Sequence, residues 1–458
     1  MSNSPASQVK RYMRLSPSNG SGSFSFTNGN PIIKFSVADT QAMLVGKEMR
    51  FCGQLVLFKT GTTVVASTDV INIDRIAGLQ SFISSVSIGS RRYSASVLEV
   101  VHNYPRLCAS LYAQTHSPKG MRTQIFNEQG ASGKGRYNAY DQKAQQSNAS
   151  GNNDRSLKNA RNSVLVNRSA TNGFEFALRL NTGLLMNEAI PLNLLGGLEI
   201  TINLNSNFSS LYGLPANLSA DCSYQIVDPY LMCPLLYLNQ DQIAESNQQP
   251  QGSFSFMSYQ SLYSVLDSTD QSVVHRLNSR NLVSVIQNYI PIKYLNNRSY
   301  NGQACWEAGG IDNIEFHKDG VRYPLEYNLT VNKTIGAGTN QDENLQKGDL
   351  NPAILWNALS TMGSVKDINR SQVIPENLKG IAKEDGVYVT GVNWDKISKV
   401  GVNVNGTLTY DIKTKLEDPD NNDAVNPNHS LQTTYAQYSF YLSKQNLIIN
   451  KGTGIQVM

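Results

Sequence analysis

The sequence predicts an all-β protein made of two similar β modules in tandem. Charged residues make up only 16% of the chain, below the roughly 25% of ordinary globular domains, and Ser, Asn, Gln, Thr and Tyr fill the polar positions. Segments with a period of two recur along the chain, whereas stretches rich in Ala, Glu, Lys and Leu are few. Because the chain has 458 residues, it can bury two separate cores.

A repeated phrase marks the two modules. Gly-Ser-Phe-Ser-Phe at residues 22–26 recurs at residues 252–256, and each copy follows a polar stretch and precedes a series of strand-like segments. We therefore expect a flexible N-terminal arm at 1–22, a first β module at 23–240, a linker at 241–251 and a second module at 252–458.

The strands are predicted from alternation and from turn residues. In residues 198–204, Leu and Ile alternate with polar side chains, as in a strand with one buried face. The clearest hairpin is predicted at 400–412, because Asn405-Gly406 supplies the positive φ angles of a type I′ turn. A second hairpin is predicted at 314–323, turning near Asp319-Gly320. Further strands are expected at 49–58, 82–88, 283–290 and 435–449.

Two helices are predicted. The stronger one extends from Asn351, a good cap, to Gly363, with Pro352 at its first position. The weaker one covers residues 94–111 and is interrupted at Pro105. Strands and helices do not alternate, so a parallel α/β sheet is not expected.

Two long polar insertions interrupt the β pattern at comparable places in the two modules, at about 117–172 and about 334–385. The first is basic, with nine Lys or Arg residues against Glu128, Asp141 and Asp154. Loops of this length are usually functional or ordered by a neighbouring chain. For the first insertion, we consider ordering at a subunit contact, a solvated flexible face, or binding of an acidic partner.

Composition excludes several classes of protein. The net charge of +4 is small for this length, so any contact with nucleic acid must be local. The five cysteines show no metal-binding spacing and are expected to be buried free thiols of a reducing compartment. No signal peptide and no stretch of about 18 apolar residues is recognised, so we expect a protein that is not secreted and has no membrane span.

Catalytic and metal-binding motifs are not found, and we expect no catalytic, cofactor-binding or metal-binding residues. The Gly-rich residues 130–135 have Glu128 at the first Gly position of a phosphate loop and Gly135 in place of the Ser or Thr that binds Mg²⁺. The Ca²⁺-loop-like start at Asp418 has Asp423 in place of the turn Gly and His429 in place of the bidentate Glu. The five histidines lack metal-ligand spacing and are expected on the surface or in packing.

Three groups of segments resemble a known family. Residues 182–200 resemble the short helix, Pro-Leu turn and strand late in the first jelly roll of double jelly-roll major capsid proteins. Residues 279–291, and residues 312–316 with 319–324, look like segments of the second jelly roll in the capsid proteins of polinton-like viruses and virophages. The resemblance covers about a third of the chain.

The resemblance implies two eight-stranded jelly-roll sandwiches, a double jelly roll, in a subunit that trimerises into pseudo-hexagonal capsomers of an icosahedral DNA virus. The insertions would be towers that lock together in the trimer. Implied partners are further copies of the chain, penton proteins and minor capsid proteins. The arm, with Lys10, Arg11 and Arg14, would contact a neighbour, the genome or an internal membrane, or would be a disordered terminus. The protein would be made in the host cytoplasm or nucleus and reside in the virion.

Two other classes remain open at the sequence level. A spike-like or other non-capsid β-sandwich that binds glycans or proteins would present Trp306, Trp356 and Trp394 in a groove; otherwise these side chains pack in the core or at an interface. An enzyme would need a pocket with converging titratable groups.

Overall fold

The computed structural model describes residues 9–20, 22–65, 77–93, 97–115, 173–211, 222–239, 251–266, 270–292, 295, 311–318, 321–322, 329–330, 390–394, 402–414, 435–450 and 454–457. Across these residues the chain forms β-strands joined by a few short helices. Both insertions lie outside the described residues, as do the predicted helix at 351–363, the Gly-rich residues 130–135 and the acidic segment that begins at Asp418.

The first half contains twelve described strands, of which eight form the sandwich and four are short additions. The strands are β1 Val9–Leu15, β2 Ser23–Phe24, β3 Ile32–Val37, β4 Ala42–Leu44, β5 Arg50–Thr60, β6 Thr63–Val64, β7 Ile83–Ser90, β8 Val97–His102, β9 Phe174–Leu178, β10 Ile190–Pro191, β11 Leu198–Leu204 and β12 Ser223–Tyr237. The α-helices are α1 Tyr104–Thr115, α2 Leu192–Leu195 and α3 Asn207–Ser210, and 3₁₀ turns cover Gly46–Glu48, Gly78–Phe82 and Leu184–Met186.

The main strands of the first half form two antiparallel sheets. One has the order β1-β12-β5-β9 and the other the order β3-β11-β7-β8. Counted along the chain from first to eighth, these strands are arranged as 1-8-3-6 and 2-7-4-5. This order is the double Greek key of a jelly roll.

The first core lies between these sheets. Phe35 of the second sheet contacts Phe51 of the first edge to face, with ring centroids 6.0 Å apart, and Phe51 packs against Phe176 at 5.5 Å. Both aromatic distances are in the favourable range. Along β11 every second residue is buried, because alternate side chains of a strand point to opposite faces. The sequence pattern thus directs one face of each sheet into a common apolar layer.

The second half contains nine described strands. They are β13 Gln251–Leu266, β14 Asp270–Pro291, β15 Ile311–Lys318, β16 Val321–Arg322, β17 Leu329–Thr330, β18 Thr390–Asn393, β19 Val402–Thr414, β20 Tyr435–Asn450 and β21 Gly454–Val457. Strand β14 is long enough to belong to two layers. Its first part pairs with β19 and its last part pairs with β20 and, from Ser284, with β18, whereas Leu282 pairs with both β19 and β20.

The second half repeats the strand order of the first. If the two parts of β14 are counted as the second and third strands, one layer is β13-β20-β14-β18 and the other is β14-β19-β15-β16. These are again the orders 1-8-3-6 and 2-7-4-5. The register shifts between Ser279 and Leu282, where the strand passes from one layer to the other. The chain is therefore a double jelly roll, as predicted.

The two insertions follow the same strand of each jelly roll. The first comes after the fifth strand, β8, and helix α1, and ends before the sixth strand, β9. The second comes after β16 and β17 and ends before β18, which is the sixth strand of its half. The strand order around them agrees with the comparable placement expected from the sequence.

Most of the predicted strands are confirmed. Strands β11, β5, β7 and β20 match the predicted segments to within about two residues, and residues 283–290 lie inside the longer β14. The hairpin at 314–323 is also confirmed, because His317 pairs with Arg322 and Lys318 with Val321 across residues 319–320.

The hairpin predicted at Asn405-Gly406 is wrong. Residues 402–414 form the single strand β19, in which Asn405 pairs with Asn278 and Gly406 with Leu277 of β14. On the other side, residues from Leu408 onward pair with β15. Pairing along both edges satisfies more backbone groups than a local turn would, so tertiary context overrides the turn signal.

The helix predicted at 94–111 is wrong in its first half. Val97–His102 is strand β8, whose β-branched residues favour the pairing with β7. Asn103 then adopts a positive φ of 52°, and its carbonyl accepts the N–H groups of Arg106 and Leu107. Pro105 lies in the first turn of α1, where the missing N–H has no cost, so it opens the helix and does not interrupt it.

Candidate functional site

The functional feature that the described residues build most completely is the junction between the two jelly rolls. Strand β13 of the second half pairs with β20 along one edge. It packs against β8 and against the 3₁₀ turn Leu184–Met186 of the first half. Phe256, Tyr259, Ile290 and Phe440 belong to the same apolar cluster as the first core. One continuous core therefore joins the halves.

Gly183 allows the closest packing here. It precedes the 3₁₀ turn with a φ of −62°, so its conformation does not itself require glycine. A Cβ at this position would lie 2.5 Å from the Met257 carbonyl oxygen and 2.8 Å from the Ser258 Cα. The absence of a side chain therefore lets the two backbones meet.

The repeated phrase contributes to the same contact. Its second copy opens β13, and a Cβ on Gly252 would lie 2.8 Å from Cδ2 of Leu194 in α2. Its first copy includes β2, which pairs with β12. Both copies thus pair with the last main strand of their own half, β12 or β20.

Glu99 of β8 is buried at the junction, with 3% of its surface exposed. Its Oε1 accepts the Gly183 N–H at 2.8 Å and the Tyr259 N–H at 2.7 Å, and its Oε2 accepts the Leu184 N–H at 2.8 Å. The Tyr259 N–H belongs to β13, so one carboxyl group bridges the two jelly rolls. Burial raises the pKa of Glu99 to about 7, although these hydrogen bonds act to lower it.

Helix α1 adds polar contacts beside the core. The Arg106 guanidinium lies over the Tyr438 ring at 4.4 Å. The Asn288 side-chain amide donates to the Ser110 hydroxyl at 3.3 Å. At another point of the junction, the Tyr93 hydroxyl donates to the Asn450 carbonyl at 3.4 Å. The contacts between the halves therefore come from the turn after β7, from β8 and α1, and from the 182–195 segment.

Sequence reasoning singled out residues 252–256 and 182–200 for other reasons, but it predicted no contact between the two halves. The partners lie far apart in the chain, and a single sequence carries no direct signal for such contacts. One indication was present: Glu99 interrupts the apolar run Val97-Leu98-Glu99-Val100-Val101, and a charge at a buried strand position needs hydrogen-bond partners.

The N-terminal basic residues belong to the sheet. The flexible arm predicted at 1–22 is contradicted for residues 9–15, because β1 pairs with β12 from Val9–Tyr237 to Leu15–Leu231. Lys10 forms an ion pair with Glu48, and Arg11 lies 5.3 Å from the ring centroid of Tyr237. Arg14 lies 4.1 Å from the Tyr230 ring centroid. Strand β1 was not recognised from the sequence because three of its seven residues are cationic, which breaks the alternation of apolar and polar side chains. Such cations suit an exposed edge strand.

Other side chains singled out in the sequence lie as follows. Trp394 is buried, which agrees with packing and not with a groove, whereas Trp306 and Trp356 lie outside the described residues. Cys52, Cys108, Cys222 and Cys233 are buried thiols, as predicted. His102 is exposed and His275 is buried. In the part of the chain that the structure describes, no cluster of three metal-ligating side chains occurs and no helix has the length and hydropathy of a membrane span.

Comparison with known proteins adds to this fold. No protein-family model and no curated protein matches the sequence. Among solved structures, the PBCV-1 virus capsid matches over 100% of this chain and 98% of its own, with a TM-score of 0.55 and 12% identity. The Faustovirus major capsid protein matches over 98% and 92%, with a TM-score of 0.53 and 10% identity. VP54 of PBCV-1, fitted into a reconstruction of the virophage Sputnik, matches over 100% of this chain and 98% of its own, with a TM-score of 0.52 and 10% identity.

These matches define the fold class of the chain. Each extends over nearly the whole of both chains, so both jelly rolls and their order along the chain are shared. The fold is that of the double jelly-roll major capsid proteins of viruses, as the sequence resemblance implied.

Proposed function

We propose that this chain is a major capsid protein that trimerises into pseudo-hexagonal capsomers and assembles the icosahedral shell of a DNA virus. The observation that carries the proposal is the match of the entire tandem architecture to viral major capsid proteins. A match confined to one sandwich would be much weaker, because single jelly rolls occur in many functional classes.

The junction supports the same proposal. A shell subunit must hold its two sandwiches at a fixed angle, since each chain supplies two of the six lobes of a trimer. The shared core, the Gly183 contact and the Glu99 bridge provide such a fixed connection. Weak contacts between capsomers then add up by multivalency to a stable shell.

The placement of the insertions suggests how the trimer is locked. Both follow the fifth strand of their jelly roll, so they leave the two sandwiches at equivalent points. We propose that they form the towers of the capsomer and contact neighbouring chains. Their polar composition suits a wet interface with many hydrogen bonds.

Further partners follow from a capsid role. We propose penton and minor capsid proteins as neighbours in the virion, with the protein made in the host cytoplasm or nucleus. The basic edge strand, with Lys10, Arg11 and Arg14, is proposed to make weak contact with the genome or with an internal membrane. Its cations lie beside Glu48 and tyrosine rings, which limits the strength of such a contact.

The alternative is a spike-like or other non-capsid β-sandwich that binds glycans or proteins. It needs exposed aromatic side chains in a groove, and Trp394 is buried. Light scattering coupled to size-exclusion chromatography separates the two proposals. The capsid proposal predicts a mass of three times the 50.4 kDa chain, resistant to dilution and mild heating. A stable monomer would favour the binding protein.

A further inference from the structure

Among the side chains whose burial the structure describes, Glu99 is the one buried carboxyl group, and a merely structural junction does not require a charge at that place. Its two oxygens collect N–H donors from the 182–184 segment and from β13. In addition, the Thr182 hydroxyl hydrogen-bonds to the carboxyl group. An apolar residue of similar size would leave these buried donors without partners, which is costly.

We propose that Glu99 is a proton-linked latch between the two jelly rolls, which holds the junction more firmly when acidification from about pH 8 to about pH 6 protonates it. The proposal deepens the capsid function by giving the subunit a response to pH, but it depends only on the junction and not on assembly.

The geometry accommodates both protonation states. In the neutral acid, Oε1 still accepts the N–H groups of Gly183 and Tyr259. The acid proton can be donated to the Thr182 hydroxyl oxygen, which then no longer donates to the carboxyl group and which itself accepts the Leu185 N–H at 3.2 Å. Protonation therefore removes a buried negative charge while the bridge to β13 is kept.

The groups that face this site from the packed elements are few. Tyr259 of β13 lies against Glu99, and the carboxylate and burial both raise the pKa of its phenol, burial most strongly. The Cys108 thiol of α1 also raises the pKa of that phenol, and the Arg179 guanidinium lowers it. The phenol stays neutral over the physiological range, so the change in protonation falls on Glu99.

The sign of the pH effect follows from the raised pKa. Between the ordinary value of 4.5 and about 7, the folded chain holds a proton that the unfolded chain releases. The contribution of Glu99 to stability is therefore full at acid pH and is lost as the pH rises through about 7. Over that interval the ratio of folded to unfolded chain changes by up to about two orders of magnitude.

The test compares the thermal midpoint of the full chain with that of Glu99→Gln between pH 5.5 and pH 8.5. The matched control is Glu199→Gln, on an exposed position of β11. In E99Q the side-chain NH2 group faces the Leu184 N–H, so two donors meet without an acceptor. This lowers the thermal midpoint of E99Q by an amount that does not depend on pH. We expect the midpoint of the unmodified chain, relative to E99Q, to rise as the pH falls, and E199Q to follow the unmodified chain. If the difference in thermal midpoint between the unmodified chain and E99Q is the same at every pH from 5.5 to 8.5, the proposal is overturned.

A second measurement needs no variant and covers the case in which E99Q fails to fold. Amide hydrogen exchange, corrected for its chemical pH dependence, is followed in peptides that contain residues 183–184 and 259, with residues 200–204 of β11 as reference. We expect protection of the junction peptides to increase by up to about tenfold more than that of the reference between pH 8 and pH 6. If protection of the junction peptides and of the reference peptide changes by the same factor, the proposed role of Glu99 is overturned. A monomer with the expected pH response would reject only the capsid proposal.

Discussion

Gly183 of the first jelly roll lies directly against the Met257 carbonyl of the second, so closely that a Cβ on Gly183 would be 2.5 Å from that oxygen. The Gly183 backbone and the Met257 carbonyl are in contact at this point, so neither can move without shifting the 3₁₀ turn Leu184–Met186 or strand β13. The two sandwiches are therefore held in register by main-chain contact as well as by the apolar core.

Replacing Gly183 by Ala tests this contact. We expect Gly183→Ala to lower the free energy of unfolding by about 1–3 kcal/mol, because the added methyl group overpacks the junction. The matched control is Gly252→Ala, whose Cβ would meet only the flexible end of the Leu194 side chain. Urea unfolding measures the free energy of unfolding of both variants. If Gly183→Ala and Gly252→Ala lower it equally, Gly183 is not more constrained than Gly252.

His275 predicts an acid sensitivity of the second jelly roll. Its Nε2 lies 2.8 Å from the Ser264 hydroxyl and its Nδ1 2.7 Å from the Tyr441 hydroxyl, and burial lowers the pKa of His275 to about 4. The unfolded chain binds a proton near pH 6.5 and the folded chain does not. The stability that His275 contributes is therefore present above pH 6.5 and is lost as the pH falls through about 4, by at most about 3 kcal/mol.

The variant His275→Gln should show a smaller loss of stability between pH 7 and pH 4 than the unmodified chain. His102→Gln, at an exposed position of β8, is the control and should behave like the unmodified chain. Chemical unfolding at several pH values measures the effect. Because Glu99 acts in the opposite direction, each variant must be compared with the unmodified chain at the same pH; parallel curves for His275→Gln would argue against the buried neutral imidazole.

Truncation of the N-terminus tests the assignment of β1 to the sheet. Removing residues 1–16 deletes β1 and exposes the edge of β12, so we expect a lower thermal midpoint and aggregation. Removing residues 1–8 keeps β1 and serves as the control. If the longer truncation were as stable and as soluble as the shorter one, the pairing of β1 with β12 would be unimportant for the fold.

Deletion of residues 130–153 tests the proposed role of the first insertion. Both ends of the deletion lie between α1 and β9, outside the strands of the sandwich. We expect a soluble monomer with an unchanged β-type circular dichroism spectrum. A deletion variant that still forms trimers of normal stability would show that this part of the insertion does not lock the capsomer.

Local sequence signals predicted the elements well where packing and pattern agree. In β11 the alternation of Leu and Ile with polar residues coincides with the buried and exposed faces, so the strand was found with its bounds. At Asn405-Gly406 the turn signal competes with pairing to β14 and β15, and pairing prevails. At Val97–His102 a helical spacing of apolar residues coincided with β-branched content, and the strand formed.

The arrangement of the junction could not be predicted in the same way. Glu99, Gly183 and Tyr259 come together only after both jelly rolls have formed, and residues so distant in sequence leave no local pattern. The overall order of the strands was reached from a resemblance of segments. Composition and periodicity alone predicted two β modules and did not distinguish a jelly roll from other sandwiches.

In the proposed capsomer, three chains with two jelly rolls each give six sandwiches. Electron microscopy of the purified oligomer, with two-dimensional class averages viewed along its symmetry axis, tests this arrangement most directly. The proposal predicts a threefold particle with a pseudo-hexagonal outline of six lobes. Monomeric particles with two lobes, or an oligomer without threefold symmetry, would contradict it.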